Sequence, residues 1–455
     1  MFKKFTHACV TLVHKYLPDP FLFAIILTLV VFGITMPLTN QGPLEVVSHW
    51  GKGAWNLLGF SMQMALVLVL GQALASAPLF HRILVTLASI PKSPAQAIVL
   101  VTIVGLIANW INWGFGLVIS AIFAKELAKK VKGVDYPLLI AAAYSTFVIW
   151  HAGLSGSVPL TVSSGGDAVA KATAGIVTEA IPTSMTLFSS YNIIMLAIIF
   201  VCLPIIMAKM MPSKDEVIEV DPKLLETHDR ADADEDTMAI KQGHTPSEKL
   251  ENSVIVTALI SIIGVTWIIY YFYKGGSLDL NIINMIFLFA GIILHKKPIN
   301  YVHAISHSAR SAAGIILQFP FYAGIMGMMV GASPEGVSLA GSISNAFVSI
   351  ANTDTFPIFT FLSAGIVNIF VPSGGGQWAV QAPIMFPAAK ELGVDYAVTA
   401  MAIAWGDAWT NMIQPFWALP ALGIAGLGAK DIMGYCIITL IFVGLVVCGG
   451  FFFLT

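Results

Sequence analysis

The stretch Ala404-Trp-Gly-Asp-Ala-Trp-Thr-Asn-Met-Ile-Gln-Pro-Phe-Trp-Ala-Leu-Pro420 decides how the rest of the sequence is interpreted. It lies inside an otherwise apolar segment, and its polar side chains are those of Asp407, Thr410, Asn411 and Gln414. Pro415, which follows them, breaks a helix. A carboxylate beside a broken helix at membrane depth indicates a functional site. We therefore predict a discontinuous helix over residues 396–427 that surrounds a binding site.

The composition is that of a membrane protein. The chain has 455 residues, of which 57% are hydrophobic and 11% charged, and its mean hydropathy is +0.83. A soluble domain carries about 25% charged residues, so we predict an all-α, polytopic protein in a lipid bilayer. No basic stripe with interleaved aromatic residues occurs, which argues against a nucleic-acid partner. The four cysteines lack metal-ligand spacing, so we expect free thiols and no metal site.

Charge and hydropathy divide the chain into five parts. Residues 212–251 hold 12 of the 25 acidic residues and are predicted to form a flexible cytoplasmic linker. The remaining parts are an N-terminal scaffold helix, a first repeat, a set of scaffold helices with an amphipathic connection, and a second repeat. These parts cover residues 1–55, 56–211, 252–310 and 311–455 in that order.

Two apolar segments are interrupted in a way that predicts re-entrant hairpins. Residues 94–128 are broken by the polar and glycine-rich stretch 109–116. Each flank is about 15 residues long, whereas a full crossing needs about 20. Residues 355–391 are broken in the same way at 371–378. A second discontinuous helix is expected at residues 137–160, after the first hairpin.

An internal repeat relates the two halves. Gly133-Val-Asp-Tyr136 recurs 260 residues later as Gly393-Val-Asp-Tyr396. The same offset aligns the two predicted hairpins with each other in the sequence, and likewise the two predicted broken helices. With the N-terminus in the cytoplasm, 14 of the 18 Lys and Arg residues outside the linker fall on the cytoplasmic side, and the two repeats then have opposite orientations. Inverted repeats with discontinuous helices are typical of secondary transporters.

Three residues are candidates for coupling to an ion. Asp407 is the one acidic residue outside the linker that is predicted deep in a span, as an ion ligand or a proton carrier, or alternatively as a cap of the broken helix. Asn411 lies one turn beyond it on the same face and aligns with His151 in the first repeat. His151 is either a proton relay or a structural histidine. Both Asn411 and the neighbouring Thr410 could instead hydrogen-bond the unwound backbone.

The hairpin tips and helix breaks supply the candidate substrate site. Glycine lets the backbone approach a ligand closely, although a tight turn needs small residues as well. No Lys or Arg falls in a predicted membrane centre, which favours a ligand of low charge. Tryptophans near the tips could line an apolar pocket or belong to the core. The candidate substrate residues are Asn109, Asn112, Trp113, Gly114, Ser155, Ser157, Ser373, Gly374, Gly375, Gly376, Gln377, Thr410, Asn411 and Gln414.

The motifs resemble a known family. Trp405-Gly-Asp-Ala-Trp-Thr-Asn-Met-Ile-Gln-Pro-Phe-Trp417 and Val371-Pro-Ser-Gly-Gly-Gly-Gln-Trp378 resemble motifs of the bacterial short-chain fatty acid transporters, the acetoacetate and butyrate permeases. Lys15-Tyr-Leu-Pro-Asp-Pro-Phe21 and residues 109–116 are similar to the same family, and the resemblance covers essentially the whole chain. The core Gly-Asp-x-x-Thr-Asn-x-x-x-Pro also resembles a wider ion-transporter superfamily, whose members carry dicarboxylates or aminobenzoyl-glutamate derivatives.

The resemblance implies an elevator-type carrier in the bacterial inner membrane, with a homodimeric scaffold and a transport domain made of the hairpins and broken helices. The implied substrate is a small monocarboxylate such as acetoacetate or butyrate, symported with Na⁺ or H⁺, and no other cofactor is expected. A carrier of a dicarboxylate or an aminobenzoyl-glutamate-like metabolite is the alternative, and a channel is a further one. The sequence shows no nucleophile–base pair or metal cluster, so an enzyme is not expected.

Overall fold

The computed structural model describes residues 2–16, 18–222, 224, 245–276, 280–372 and 374–455. All regular secondary structure in these ranges is helical. The chain begins with the helices α1 (Phe2–Tyr16), α2 (Pro20–Thr39), α3 (Pro43–Gly53), α4 (Leu58–Ser76) and α5 (Pro78–Ala88).

The single scaffold helix that we predicted for residues 1–55 is thus three helices. Asp19 caps α2 by accepting a hydrogen bond from the Phe21 amide. Asn40, in the left-handed conformation, ends α2, and Pro43 starts α3.

The first hairpin has the predicted position in the sequence. It consists of α6 (Pro94–Ile111) and α7 (Trp113–Lys130), which pack against each other. Asn112 is the one residue between them, and its Oδ1 accepts a hydrogen bond from the Phe115 amide to cap α7.

A discontinuous helix follows. α8 (Tyr136–Ser145) continues as a 3₁₀ segment (Thr146–Ala152), and the chain then turns into α9 (Ser157–Ser164). The helices α10 (Gly166–Ala172) and α11 (Ser190–Lys209) complete the first half.

The first residues of the acidic linker are packed onto the protein. After a short 3₁₀ turn (Lys214–Glu216), the carbonyl of Ile218 accepts a hydrogen bond from the Tyr136 amide, 2.7 Å away. The Ile218 amide donates to the carboxylate of Asp135, which caps α8. This part of the linker is therefore bound to the N-terminal end of α8. Residues 225–244, the core of the predicted flexible linker, lie outside the described residues.

A further series of helices leads to the second hairpin. They are α12 (Pro246–Glu251), α13 (Val254–Tyr273), α14 (Leu280–His295), α15 (Pro298–Ser308), a 3₁₀ turn (Ala309–Ala312), α16 (Ala313–Val330) and α17 (Leu339–Val348). On α13, Ile255 and Ile262 are more than 60% exposed although the helix is almost wholly apolar. A helix with such a face is expected to contact lipid or another protein.

The second hairpin and second discontinuous helix also occupy the predicted ranges. The hairpin is α18 (Phe356–Phe370) and α19 (Gly374–Leu392), and the broken helix is α20 (Tyr396–Thr410) and α21 (Leu419–Ala425). A long helix, α22 (Ala429–Phe453), ends the chain.

The helix α20 lies at the centre of the packed core. It contacts α18, α19, α9, α22 and the 3₁₀ segment of the first break. Small side chains permit this, because Ala400, Ala404 and Ala408 recur every fourth residue and are fully buried. Gly406 packs so closely on α18 that a Cβ there would collide with the carbonyl of Phe361. Asp407 is thereby held away from solvent by helices on several sides.

Seven segments of the described chain are long and apolar enough to cross a membrane, as expected for a polytopic protein. One of them is α6, the first arm of the hairpin that we predicted to be re-entrant. The seven segments are Phe21–Thr39, Pro94–Ile111, Tyr136–Ser164, Ser190–Lys209, Val254–Tyr273, Ala313–Val330 and Ala429–Phe453.

Candidate functional site

Two of the candidate ion-coupling residues contact each other. The Nδ1 atom of His151 lies 2.9 Å from Oδ2 of Asp407, although 256 residues separate the two in the chain. His151 belongs to the 3₁₀ segment of the first break and Asp407 to the last turn of α20, and both side chains are buried. The two discontinuous helices therefore meet at this pair.

The second ring nitrogen of His151 is also engaged. Nε2 accepts a hydrogen bond from the backbone amide of Val158, 3.0 Å away, and the hydroxyl of Ser157 lies 3.0 Å from the same atom. Both residues form the first turn of α9. The imidazole thus bridges the Asp407 carboxylate and the N-terminus of a helix.

Thr410 and Asn411 bind the second hairpin. The amide nitrogen of Asn368, on α18, donates to Oγ1 of Thr410 at 3.0 Å and to Oδ1 of Asn411 at 2.9 Å. The hydroxyl of Thr410 donates to the carbonyl of Gly365 at 2.7 Å. Tyr144 donates to the backbone carbonyl of Asn411, so part of the unwound backbone is satisfied by the first half. Asn368 was not among the predicted site residues; it lies three residues before the second tip, whereas Asn109 is the first residue of the first tip.

A similar arrangement holds the first hairpin. The amide nitrogen of Asn109, on α6, donates to Oγ1 of Thr146 and to the carbonyl of Gly105, both at 2.9 Å. Thr146 begins the 3₁₀ segment and was also missed. An Asn–Thr–Gly contact therefore joins each hairpin to its adjacent helix break.

The N-terminus of α7 lies against the first break. The backbone amide of Trp113 donates to the hydroxyl of Ser155 at 3.0 Å. Asn112 uses its side chain as the helix cap, and Gly114 is buried in the first turn of α7. At the start of α7, the contact to the break is therefore made by a backbone amide.

The N-terminus of α19 approaches the same place. Gly374 packs against the Ser157 hydroxyl, the His151 ring and the Trp150 ring, so that a Cβ at this position would collide with Ser157. Gly375 has open space at the corresponding position, and Gly376 lies in the same first turn of α19. Ser373 lies outside the described residues.

Gln377 and Gln414 make internal contacts. The amide nitrogen of Gln377 donates to the carbonyl of Ala364 at 2.9 Å and to Oε1 of Gln381 at 2.6 Å, which bridges the two arms of the second hairpin. Oε1 of Gln414 accepts from the amide of Phe416 within the second break. Both residues thus stabilise local structure, and each retains one unpaired polar atom.

Four aromatic rings form a compact group, the aromatic box, beside these helix ends. Its members are Trp113, Phe147, Trp150 and Trp417, whose ring centroids are 5.2 to 6.4 Å apart. Trp150 also stacks on the His151 ring with a centroid distance of 4.0 Å. The aromatic box is therefore adjacent to the buried Asp407–His151 pair.

Unpaired polar atoms are concentrated in this region. Buried polar groups normally have hydrogen-bond partners, and buried polar atoms that the protein leaves without one are candidates for binding an ion or a ligand. Those in and around the site that have no partner among the described residues are Asp407 Oδ1, Asn411 Nδ2, Gln414 Nε2, Asn109 Oδ1, Asn368 Oδ1, Gln377 Oε1 and Trp150 Nε1. No cluster of three or more His, Cys, Asp or Glu side chains suited to a metal ion occurs in the described part of the chain.

Comparisons with known proteins identify relatives over nearly the whole length of the chain. The family model described as "Short chain fatty acid transporter" matches residues 1–454. A Haemophilus influenzae protein named "Putative short-chain fatty acid transporter" is 47% identical over 460 residues, which cover 100% of both chains. An Escherichia coli protein of the same name is 48% identical over 435 residues, which cover 95% of this chain and 96% of that one.

Among solved structures, the Alcanivorax borkumensis YdaH transporter is similar with a TM-score of 0.43 and 16% identity, covering 95% of this chain and 97% of that chain. A likeness this distant adds nothing to the description of the site. The family match and the two relatives extend over nearly the whole length of the chain and are sufficient on their own. The chain belongs to the short chain fatty acid transporter family, a family of multi-pass membrane transporters.

Proposed function

We propose that this chain takes up short-chain monocarboxylates across the bacterial inner membrane together with a cation. The observation that carries the proposal is the meeting of three helix N-termini, those of α7, α9 and α19, beside the buried Asp407–His151 pair. Helix N-termini attract anions because their first amides are unpaired and the helix dipole is positive there. Helix N-termini can bind a substrate carboxylate where no Lys or Arg side chain is available to pair with it.

The substrate's carboxylate would bind at the starts of α7 and α19, where the positive ends of the helix dipoles lie. None of the described Lys or Arg residues hydrogen-bonds to a candidate site side chain. A second carboxylate would lack a partner, which favours a monocarboxylate over a dicarboxylate. The short alkyl chain would lie against the aromatic box, whose apolar surface favours it.

The coupling cation would bind at Asp407. Its Oδ1 atom is buried and unpaired, and a buried carboxylate oxygen without a partner is costly unless a proton or a metal cation neutralises it. The unpaired oxygens of Asn109 and Asn368 belong to the same region and are of the type that hard cations prefer. Both Na⁺ and H⁺ are compatible with these groups.

The two hairpins and the two discontinuous helices would form an elevator-type transport domain that moves relative to a scaffold. In this proposal the halves are inverted repeats with re-entrant hairpins, the N-terminus is cytoplasmic and the scaffold forms a homodimer. The repeated sequence Gly-Val-Asp-Tyr and the repeated Asn–Thr–Gly contacts support the relation between the halves.

Uptake of labelled butyrate into proteoliposomes tests the proposal. Na⁺ and H⁺ gradients are imposed separately, and uptake by protein-free liposomes is subtracted because the neutral acid diffuses passively. We expect saturable uptake that is stimulated by one of the two gradients and accelerated by unlabelled butyrate inside the vesicles. Absence of protein-dependent uptake under either gradient would contradict the proposed substrate. Non-saturable uptake without counterflow would identify a channel, and strong competition by succinate would identify a dicarboxylate carrier.

A further inference from the structure

We propose that His151 stays neutral throughout transport and acts as a positioning residue that connects the Asp407 carboxylate to the first turn of α9. This inference rests on the proposed function for its transport consequences, but the protonation state of the ring is a separate, measurable property. It decides between the two roles that the sequence leaves open for His151, a proton relay and a structural histidine.

The hydrogen bonds of the ring determine its protonation. A backbone N–H can only donate, so the amide of Val158 requires Nε2 to be an acceptor and therefore unprotonated. A neutral imidazole carries its one proton on the other nitrogen, which is Nδ1. Nδ1–H then donates to Oδ2 of Asp407 at 2.9 Å. Both partners of the ring thus select the same tautomer.

Protonation of the ring is opposed by the same geometry. A proton on Nε2 would point at the Val158 N–H from 3.0 Å, so two donors would face each other in a buried site. An imidazolium could form only if the first turn of α9 moved away. The ionisable group that hydrogen-bonds to the ring is Asp407. The ring also contacts Ser157, Val158, Trp150 and Gly374, none of which titrates.

The position of the ring gives it a mechanical role. His151 holds Oδ2 of Asp407, so that Oδ1 remains as the free oxygen for the cation. The opposite edge of the ring holds α9, and Gly374 at the start of α19 packs on the same ring. Binding of the cation at Asp407 would therefore be linked through His151 to the first helix break and to the tip of the second hairpin.

Two substitutions separate positioning from proton transfer. Glutamine has one donor and one acceptor on a planar group and is never charged, so His151→Gln can donate to Asp407 and accept from Val158. We expect its gradient-driven butyrate uptake to stay within about threefold of the unmodified protein. His151→Leu removes both contacts and is expected to lower uptake by about tenfold or more, the range seen when supporting residues of an ion site are lost. Loss of coupled uptake in His151→Gln, with membrane insertion intact, would overturn the proposal.

A spectroscopic measurement tests the tautomer without any transport assay. The protein is labelled with ¹⁵N-histidine, reconstituted in lipid and measured by solid-state NMR, and the spectrum of His151→Gln is subtracted to isolate the His151 signals. We expect a protonated Nδ1 and an unprotonated Nε2, the tautomer that both hydrogen bonds of the ring select. A doubly protonated ring, or a proton on Nε2, would overturn the proposal. If the tautomer is as expected while uptake is absent in the unmodified protein, only the proposed function fails.

Discussion

At the first helix break, Asn109 donates to Thr146 and to the carbonyl of Gly105. At the second break, Asn368 donates to Thr410, which donates in turn to the carbonyl of Gly365. These contacts are alike, and they attach each hairpin to the neighbouring broken helix.

The chemistry next to these shared contacts differs. The second break has the carboxylate of Asp407, whereas the residue 260 positions earlier is Phe147, a member of the aromatic box. If the two threonines are aligned instead, the counterpart of Asp407 is Ala143. The contacts common to both breaks attach the hairpins, and under the proposed function ion coupling would depend on Asp407, which has no acidic counterpart in the first half.

The substitution with the largest expected effect removes this difference. Asp407→Asn keeps the shape of the side chain but cannot bind a cation by charge, so gradient-driven butyrate accumulation should fall to the protein-free background. The measurement is uptake into proteoliposomes at matched protein content. Asp354→Asn, at an exposed position, is the control and should transport normally. Normal accumulation by Asp407→Asn would show that the charged site lies elsewhere.

A second test asks whether the two Asn–Thr–Gly contacts are equivalent. Asn109→Ala and Asn368→Ala each remove two buried hydrogen bonds, and we expect each to lower the free energy of unfolding by about 1–3 kcal/mol. Thermal unfolding in detergent measures this loss, and exposed Asn56→Ala should change stability by less than about 0.5 kcal/mol. If only one of the two buried substitutions is destabilising, the Asn–Thr–Gly contacts do not contribute equally to stability at the two breaks.

Adjacent glycines at the second tip give a matched pair. Gly374→Ala places a methyl group against Ser157 and His151, so we expect it to disturb the Asp407–His151 pair and reduce uptake severalfold. Gly375→Ala meets open space and should leave uptake nearly unchanged, with a gain in helix stability of up to about 1 kcal/mol. Initial uptake rates compare the two variants. Equal rates would mean that the close contact at Gly374 has no role in transport.

The smallest expected effect concerns the repeated Gly-Val-Asp-Tyr motif. Asp135 and Asp395 each cap a helix, and removing such a cap costs about 1 kcal/mol. Asp135 is buried and also accepts from the Ile218 amide, whereas Asp395 is exposed. Asp135→Ala should therefore destabilise the protein more than Asp395→Ala in thermal unfolding. The reverse order would show that the contact with the linker contributes nothing to stability.

Local sequence features were sufficient to predict much of the fold. The polar and glycine-rich interruptions of apolar segments predicted hairpin and broken-helix ranges whose ends lie within a few residues of helix ends in the structure. The predicted depth of Asp407 made it a candidate site residue because a carboxylate is exceptional in an apolar segment, and its side chain is buried in the structure. The structure has three helices over residues 1–55, where we predicted one. Helix caps divide this region, and capping residues are weaker sequence signals than hydropathy.

Contacts between distant parts of the chain could not be predicted in this way. The pairing of His151 with Asp407 depends on how two broken helices pack, and nothing local in either stretch encodes its partner. The repeat alignment placed His151 opposite Asn411, whereas the hydrogen bonds make Thr146 the counterpart of Thr410. The direction of the Gln377 amide, toward Ala364, is likewise set by the packing of the hairpin.

Cation movement driven by substrate tests the central claim most directly. An inward butyrate gradient is imposed on proteoliposomes without any cation gradient, and entry of labelled Na⁺ and change of internal pH are followed separately, with protein-free liposomes subtracted. We predict that the unmodified protein moves one of the two cations with butyrate and that Asp407→Asn moves neither. Equal butyrate-driven cation entry in the variant and the unmodified protein would contradict the assignment of coupling to Asp407.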